Sequence, residues 1–155
     1  MGLPRRGCHI YKGGMDEDRE EGRRISAIKR RSDALAFAES LVSWFKLARE
    51  ELGPDPTVRA YAAWLNRHNV KARRGGSWGA EQVNRVLDIA SFQRIDANAI
   101  YAHAEDVQLT RREWAEEAGD LERVAEIDTR IAELAVERDE AIAHAQAVAE
   151  GLRGY

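Results

Sequence analysis

The chain has 155 residues, 44% of them hydrophobic and 33% charged, with a mean hydropathy of -0.56; this composition fits a helix-rich globule and excludes a bundle of membrane spans. Its single cysteine, Cys8, can form neither an internal disulfide nor a cysteine-based zinc cage. No apolar leader follows Arg5 and Arg6, so the expected compartment is the cytoplasm. The net charge of -3 hides a segregation: residues 57–94 carry Arg59, Arg67, Lys71, Arg73, Arg74, Arg85 and Arg94 against Glu81 and Asp88, whereas residues 103–152 are dominated by Asp and Glu. A basic middle joined to an acidic tail points to an anionic partner for the first and to solvation or self-association for the second.

Residues 1–31 hold glycine pairs and a mixed charge run from Asp16 to Glu21, with almost no periodic apolar face. They are expected to form a flexible basic arm. Arg23, Arg24, Lys29, Arg30 and Arg31 fit either a solvated charge run or an arm lying on a DNA backbone. Ser32 can cap a helix, with Asp33 in its first turn. Leu35, Ala38, Leu41, Val42, Phe45, Ala48 and Leu52 then recur at three- and four-residue steps, the period of a helix buried along one stripe. Gly53 and Pro54 stop it. Asp55 or Thr57 can cap a second helix whose face is Val58, Ala62 and Leu65, ending near His68. Residues 69–79 contain Gly75, Gly76 and Gly79 and form a turn. From Ala80 to Ala90, the residues Val83, Val86, Leu87 and Ala90 share one stripe, leaving Glu81, Arg85 and Asp88 opposite it and Gln82 and Asn84 at its margins. Residues 32–94 therefore read as a three-helix head.

Beyond Ser91 the signal weakens, although Ile95, Ala99, Ile100 and Ala104 are consistent with a further helix. Thr110-Arg111-Arg112-Glu113 has the form of a capping box and is expected to start a C-terminal helix. Val124, Ile127, Ile131, Leu134, Arg138, Ala141, Ala145, Val148 and Leu152 follow in heptad steps, with Arg138 as a register device or an outward-snorkelling side chain. One helix from Thr110 to Leu152 is about 65 Å long and needs a partner. Alternatively, Gly119 breaks the segment into a hairpin, which closes part of the seam within one chain. On either arrangement residues 95–155 are expected to be a helical stalk that self-associates through this seam.

The most informative stretch runs from Tyr61 to Leu87: Leu65-Asn66 at the end of one helix, the basic turn Arg73-Arg74-Gly75-Gly76-Ser77-Trp78, then Val83 to Leu87. In order and spacing it resembles the helix-turn-helix segment of serine recombinases, over residues 57–90 only. The resemblance implies DNA binding. It does not carry over catalysis, because no resolvase catalytic domain fits in the short N-terminal segment and the zinc-ribbon cysteines of the large members are missing.

In a helix-turn-helix the first helix crosses the phosphate backbone and the second enters the major groove. On that geometry Arg59, Arg67, Lys71, Arg73, Arg74 and Ser77 are the candidate phosphate contacts, Ser77 acting with backbone amides at the start of the last helix. Glu81, Gln82, Asn84 and Arg85 are the candidate base readers: Arg pairs with guanine, Gln or Asn with adenine, and Glu accepts from cytosine. Asp88 is expected to tip away from the phosphates or to weaken binding. The competing reading of the arginine-glycine turn is a solvated loop. Trp78 is expected to plug the core between the helices, with Trp44, Trp64 and Trp114 also as packing residues. His9, His68, His103 and His144 lack metal-ligand spacing, so no metal or cofactor is expected, and no enzyme signature is present. The sequence thus predicts an all-α, sequence-specific reader of double-stranded DNA that forms homodimers or higher oligomers without a membrane. Its expected role is a regulatory or accessory factor of transcription or recombination, of the kind carried by phages and mobile elements. The alternative is a subunit resembling the phage small terminase, which binds packaging DNA and builds a ring.

Overall fold

The computed structural model describes residues 7–154, with side chains from residue 18 onward. The fold is all-α, with no strand among the described residues: α1 (Gly7–Ser40), α2 (Val42–Leu52), α3 (Val58–Arg67), α4 (Ala80–Leu87), α5 (Ile89–Glu117) and α6 (Leu121–Arg153). Three predicted boundaries hold. Gly53 ends α2 with φ 91, its amide bonding to Arg49 O. Thr57 caps α3, its hydroxyl accepting from the Ala60 amide at 3.1 Å. Gly119, at φ 71, turns α5 back into α6. The Asp120 carboxylate there accepts from the Arg123 amide at 3.0 Å. The left-handed backbone at Gly119 is the conformation that a side chain opposes, so the hairpin forms where a glycine permits it.

Other expectations are corrected. Ser32 starts no helix: α1 runs through it, and the chain breaks instead at Leu41. The described part of the expected flexible arm, residues 7–31, is helical, and it meets α5 between Glu20 and Arg31; residues 1–6, including Arg5 and Arg6, lie outside the described residues, as do the side chains of Cys8 and His9. Gln93, buried on α5, donates through its amide nitrogen to Arg31 O at 2.9 Å. Arg31 in turn donates to Gln93 O at 3.3 Å, and burial lowers its guanidinium from the ordinary value, with nearby Tyr101 and Asp96 opposing that shift. Farther along, His103 of α5 lies 3.5 Å from Glu20 of α1. The two helices are therefore antiparallel neighbours. Thr110 sits inside α5, where its hydroxyl donates back to Asp106 O at 3.1 Å, the bond a mid-helix threonine makes in place of a cap.

The seam assigned to self-association is filled within the chain. Ile127, Leu134, Ala145, Val148 and Leu152 are buried, while Val124, Ile131 and Ala141 are half-buried, in a hairpin dominated by α5 against α6. Arg138 is half-buried and its Nε reaches outward to Asp139 at 3.2 Å. Because the heptad seam of α6 already has α5 and the end of α1 as partners, it presents no continuous apolar face to a second copy. Nor does the packing divide between residues 94 and 95. Ala145, Val148, Ala149 and Leu152 of α6 join Leu35, Phe45, Trp64, Leu65, Trp78 and Val83 in one core. Head and hairpin are thus built on shared apolar contacts.

Candidate nucleic-acid interface

The segment between α3 and α4 spans residues 68–79, longer than the three or four residues usual for a helix-turn-helix, and side chains give it shape. Asn66, at the end of α3, grips the backbone of Trp78 with both halves of its amide: Nδ2 donates to Trp78 O at 2.9 Å, and Oδ1 accepts from Trp78 N at 2.7 Å. The Trp78 indole donates to Val70 O at 2.9 Å and lies parallel to Phe37 of α1, with centroids 6.1 Å apart. Val70 and Ala72 pack inward. Between these anchors the chain folds into a tight tip: Gly75 N donates to Ala72 O at 2.8 Å, and Ala72 N to Gly76 O at 3.0 Å. Gly75 has φ 82, which explains glycine at that place. The tip displays Arg73 and Arg74.

α4 begins at Gly79. Having no side chain, Gly79 supplies only half of a capping box: its amide donates to Gln82 Oε1 at 2.7 Å. Val83, Val86 and Leu87 face the core, as the stripe predicted. The other side carries Glu81, Gln82, Asn84 and Arg85, all exposed. The four are not equivalent. A bidentate contact to adenine needs a carbonyl oxygen and an amide donor together, and the Gln82 carbonyl is committed to the cap. Glu81 lies in the first turn, where a carboxylate favours the helix dipole. Asn84 and Arg85 remain the unengaged members. Ser77 is exposed and lies two residues before the N-cap of α4. Asp88 is paired: Arg153 of α6 donates to Asp88 Oδ1 at 2.7 Å and to Leu87 O at 3.1 Å.

Around α4 the phosphate candidates Arg59, Arg67, Lys71, Arg73 and Arg74 are exposed, as is Arg85, and none has a hydrogen-bond or ion-pair partner among the described residues. Several arginines of α5 and α6, by contrast, are engaged. Arg112 bridges α5 to Asp128 of α6 at 2.6 Å and also pairs with Glu116; Arg123 reaches Glu126 at 2.8 Å; and Arg130 reaches Glu133 at 3.1 Å and Glu137 at 2.9 Å.

The tryptophans divide. Trp64 is 1% exposed, and its indole donates to Glu51 Oε2 at 2.7 Å. His68 stacks on it, and Trp44 tilts against it. Trp114, expected to pack, is 61% exposed near the hairpin tip. No group of His, Cys, Asp and Glu suited to a metal ion occurs among the described residues, and none of their helices is long and apolar enough to cross a membrane. Sequence reasoning assigned no role to Asn66, to Arg153 or to Arg49, which donates to Leu152 O and Gly151 O at the end of α6. Asn66 stood in the Leu65-Asn66 motif but carried no periodic signal. The two arginines act across about a hundred residues in one case and 66 in the other, beyond any local pattern. Comparison with protein-family models, curated proteins and solved structures returns no match.

Proposed function

We propose that this chain is a sequence-specific double-stranded DNA-binding protein, an accessory or regulatory factor that reads the major groove with α4. The observation that carries the reading is the set of six unpaired, exposed cations, Arg59, Arg67, Lys71, Arg73, Arg74 and Arg85, gathered on α3, the linker tip and α4. Cations left without carboxylate partners are available to replace counterions along a phosphate backbone. Arg85 and Asn84 reach outward from the helix that follows the arginine tip, and in a helix-turn-helix that is the helix whose side chains meet base edges. The serine-recombinase resemblance over residues 57–90 agrees with this reading and adds the expectation of a mobile-element or phage setting. The interface lies on one chain, so the reading requires no second copy.

The test is fluorescence anisotropy of labelled duplexes from about 50 to 200 mM salt, on random DNA and on a site enriched by selection. Binding is expected with a logarithm that falls linearly against the logarithm of salt. Arg73→Ala with Arg74→Ala should lower affinity for every duplex alike and flatten the slope by about 2. Arg85→Ala should leave random-sequence binding nearly intact and remove about 1–3 kcal/mol of preference for the selected site. Absence of duplex binding at low salt overturns the proposal, and an unchanged preference in Arg85→Ala overturns the assignment of α4.

A further inference from the structure

α1 divides the arginine-rich run of its sequence into two faces. Arg31 is drawn into α5 by Gln93, and Arg24 pairs with Glu21 at 2.7 Å with its Nε buried. Arg19, Arg23 and Arg30 behave differently: all three are exposed, and none has a partner among the described residues. Together with Ser26, Asp33 and Phe37 they follow one another at steps of four, three, four, three and four. That is the spacing of a single line along a helix. Asp33 is the one acidic residue on that line.

The line ends at the head. Phe37 stacks on Trp78 at 6.1 Å, and Trp78 is tied to Val70, the neighbour of Lys71. One contact path therefore joins the arginine line of α1 to the cationic linker and to the start of α4. From Arg19 to Arg30 the line is about 16 Å long at 1.5 Å per residue, which matches about five base-pair steps of a duplex at 3.4 Å each.

We infer that Arg19, Arg23 and Arg30 form a second phosphate-binding edge, along which the backbone of duplex DNA continues past the segment contacted by α4. This rests on the DNA-binding reading above and assigns it an extent and a direction. The partner is the sugar-phosphate backbone, without regard to base, because arginines spaced along a helix side with no first-turn geometry make point contacts with phosphates.

The experiment uses the full chain and two duplexes that share the selected site, one ending at its edges and the other extended by about five base pairs on each side. Wild type should bind the extended duplex more tightly and with a salt slope steeper by about 3. The variant R19Q/R23Q/R30Q should lose that extra slope while binding the short duplex as wild type does. R19K/R23K/R30K keeps the charges and should retain the slope, which separates charge from any loss of helix, and R30Q alone should remove about one unit. Hydroxyl-radical footprints of wild type should extend on one side of the site and shrink in the triple Gln variant. If wild type binds no duplex, the DNA-binding reading falls and this inference with it. If wild type binds but the extended duplex gives no added slope, or the triple Gln variant keeps it, only the α1 edge is overturned.

Discussion

The head and the hairpin hold similar arginines in opposite states. On α5 and α6, Arg112, Arg123, Arg130 and Arg138 each reach a carboxylate, and the hydrogen bonds that Arg112 donates to Asp128 and Arg130 to Glu137 hold the two guanidiniums above their ordinary values. On α3, the linker and α4, six cations stand in solvent with none. Exposed ion pairs contribute little to stability, so their absence from the head weakens the fold only slightly, while the uncompensated charge sets a positive potential over the surface. These four hairpin arginines are matched by carboxylates, whereas the six cations of the head are left for an anion.

The same contrast runs through the aromatic residues, and the largest expected effect tests it there. Trp64 is sealed in the shared core, whereas Trp114 stands in solvent near the hairpin tip. Trp64→Ala leaves a cavity beneath α2 and α3 and removes the bond to Glu51, and about 3–5 kcal/mol of stability should go with it. Trp114→Ala should change stability by no more than about 0.5 kcal/mol. Urea unfolding followed by circular dichroism measures both. Comparable losses from the two variants would mean that Trp114 is covered and that the hairpin tip is not the open end described here.

What could be read from the sequence follows from the range of each signal. The head of α3, the turn at Gly53 and the break at Gly119 rest on a cap and on glycines with positive φ, which act within a few residues and so show in the sequence. The buried stripes of Leu35 to Ala48 and Val83 to Leu87 were equally legible from their period. α1 was not. Before Leu35 it lacks an apolar stripe because its half-buried positions include Arg24, Ala27 and Arg31, and Arg31 meets α5 through polar bonds with Gln93 rather than through a leucine. Thr110 misled because a capping-box pattern and a mid-helix threonine with a nearby glutamate are identical until the flanking helix is known. At the interface, the residue types and their order were legible. Which cations are free depended on where the acids of a distant hairpin fall.

Asn66 offers a smaller effect with more bearing on function, because it joins the fold to the interface. Both hydrogen bonds of its amide go to Trp78, the residue that anchors the arginine tip against α1. Asn66→Ala leaves the Trp78 backbone pair without those partners and should cost about 1–3 kcal/mol. Asn66→Asp keeps one acceptor and loses the donor, so it should fall between Ala and wild type. On the DNA-binding reading, the loosened tip also lowers affinity for all sequences together, leaving the relative preference among sites unchanged. Hydrogen exchange at Gly75, whose amide bonds to Ala72 O, should accelerate in Asn66→Ala while α6 exchanges as in wild type. Exchange that quickens equally in both places would show that Asn66 supports the whole core rather than the linker.

The smallest effect is the most direct comparison of the two regions. Arg130 bonds to Glu133 and Glu137 on an exposed side of α6, and such pairs, screened by water and salt, contribute about 0.2–1 kcal/mol each. Arg130→Gln should therefore shift the urea midpoint slightly at low salt and not at all near 1 M, where the Debye length falls to about 3 Å. Its effect on the salt slope of DNA binding should be nil, because a guanidinium already neutralised by two carboxylates has no counterion to release to a phosphate. Arg74→Gln should do the reverse: no change in the midpoint, and a slope smaller by about 0.9. A slope that falls in Arg130→Gln as far as in Arg74→Gln would place the acidic hairpin on the nucleic acid and erase the division of charge between the two regions.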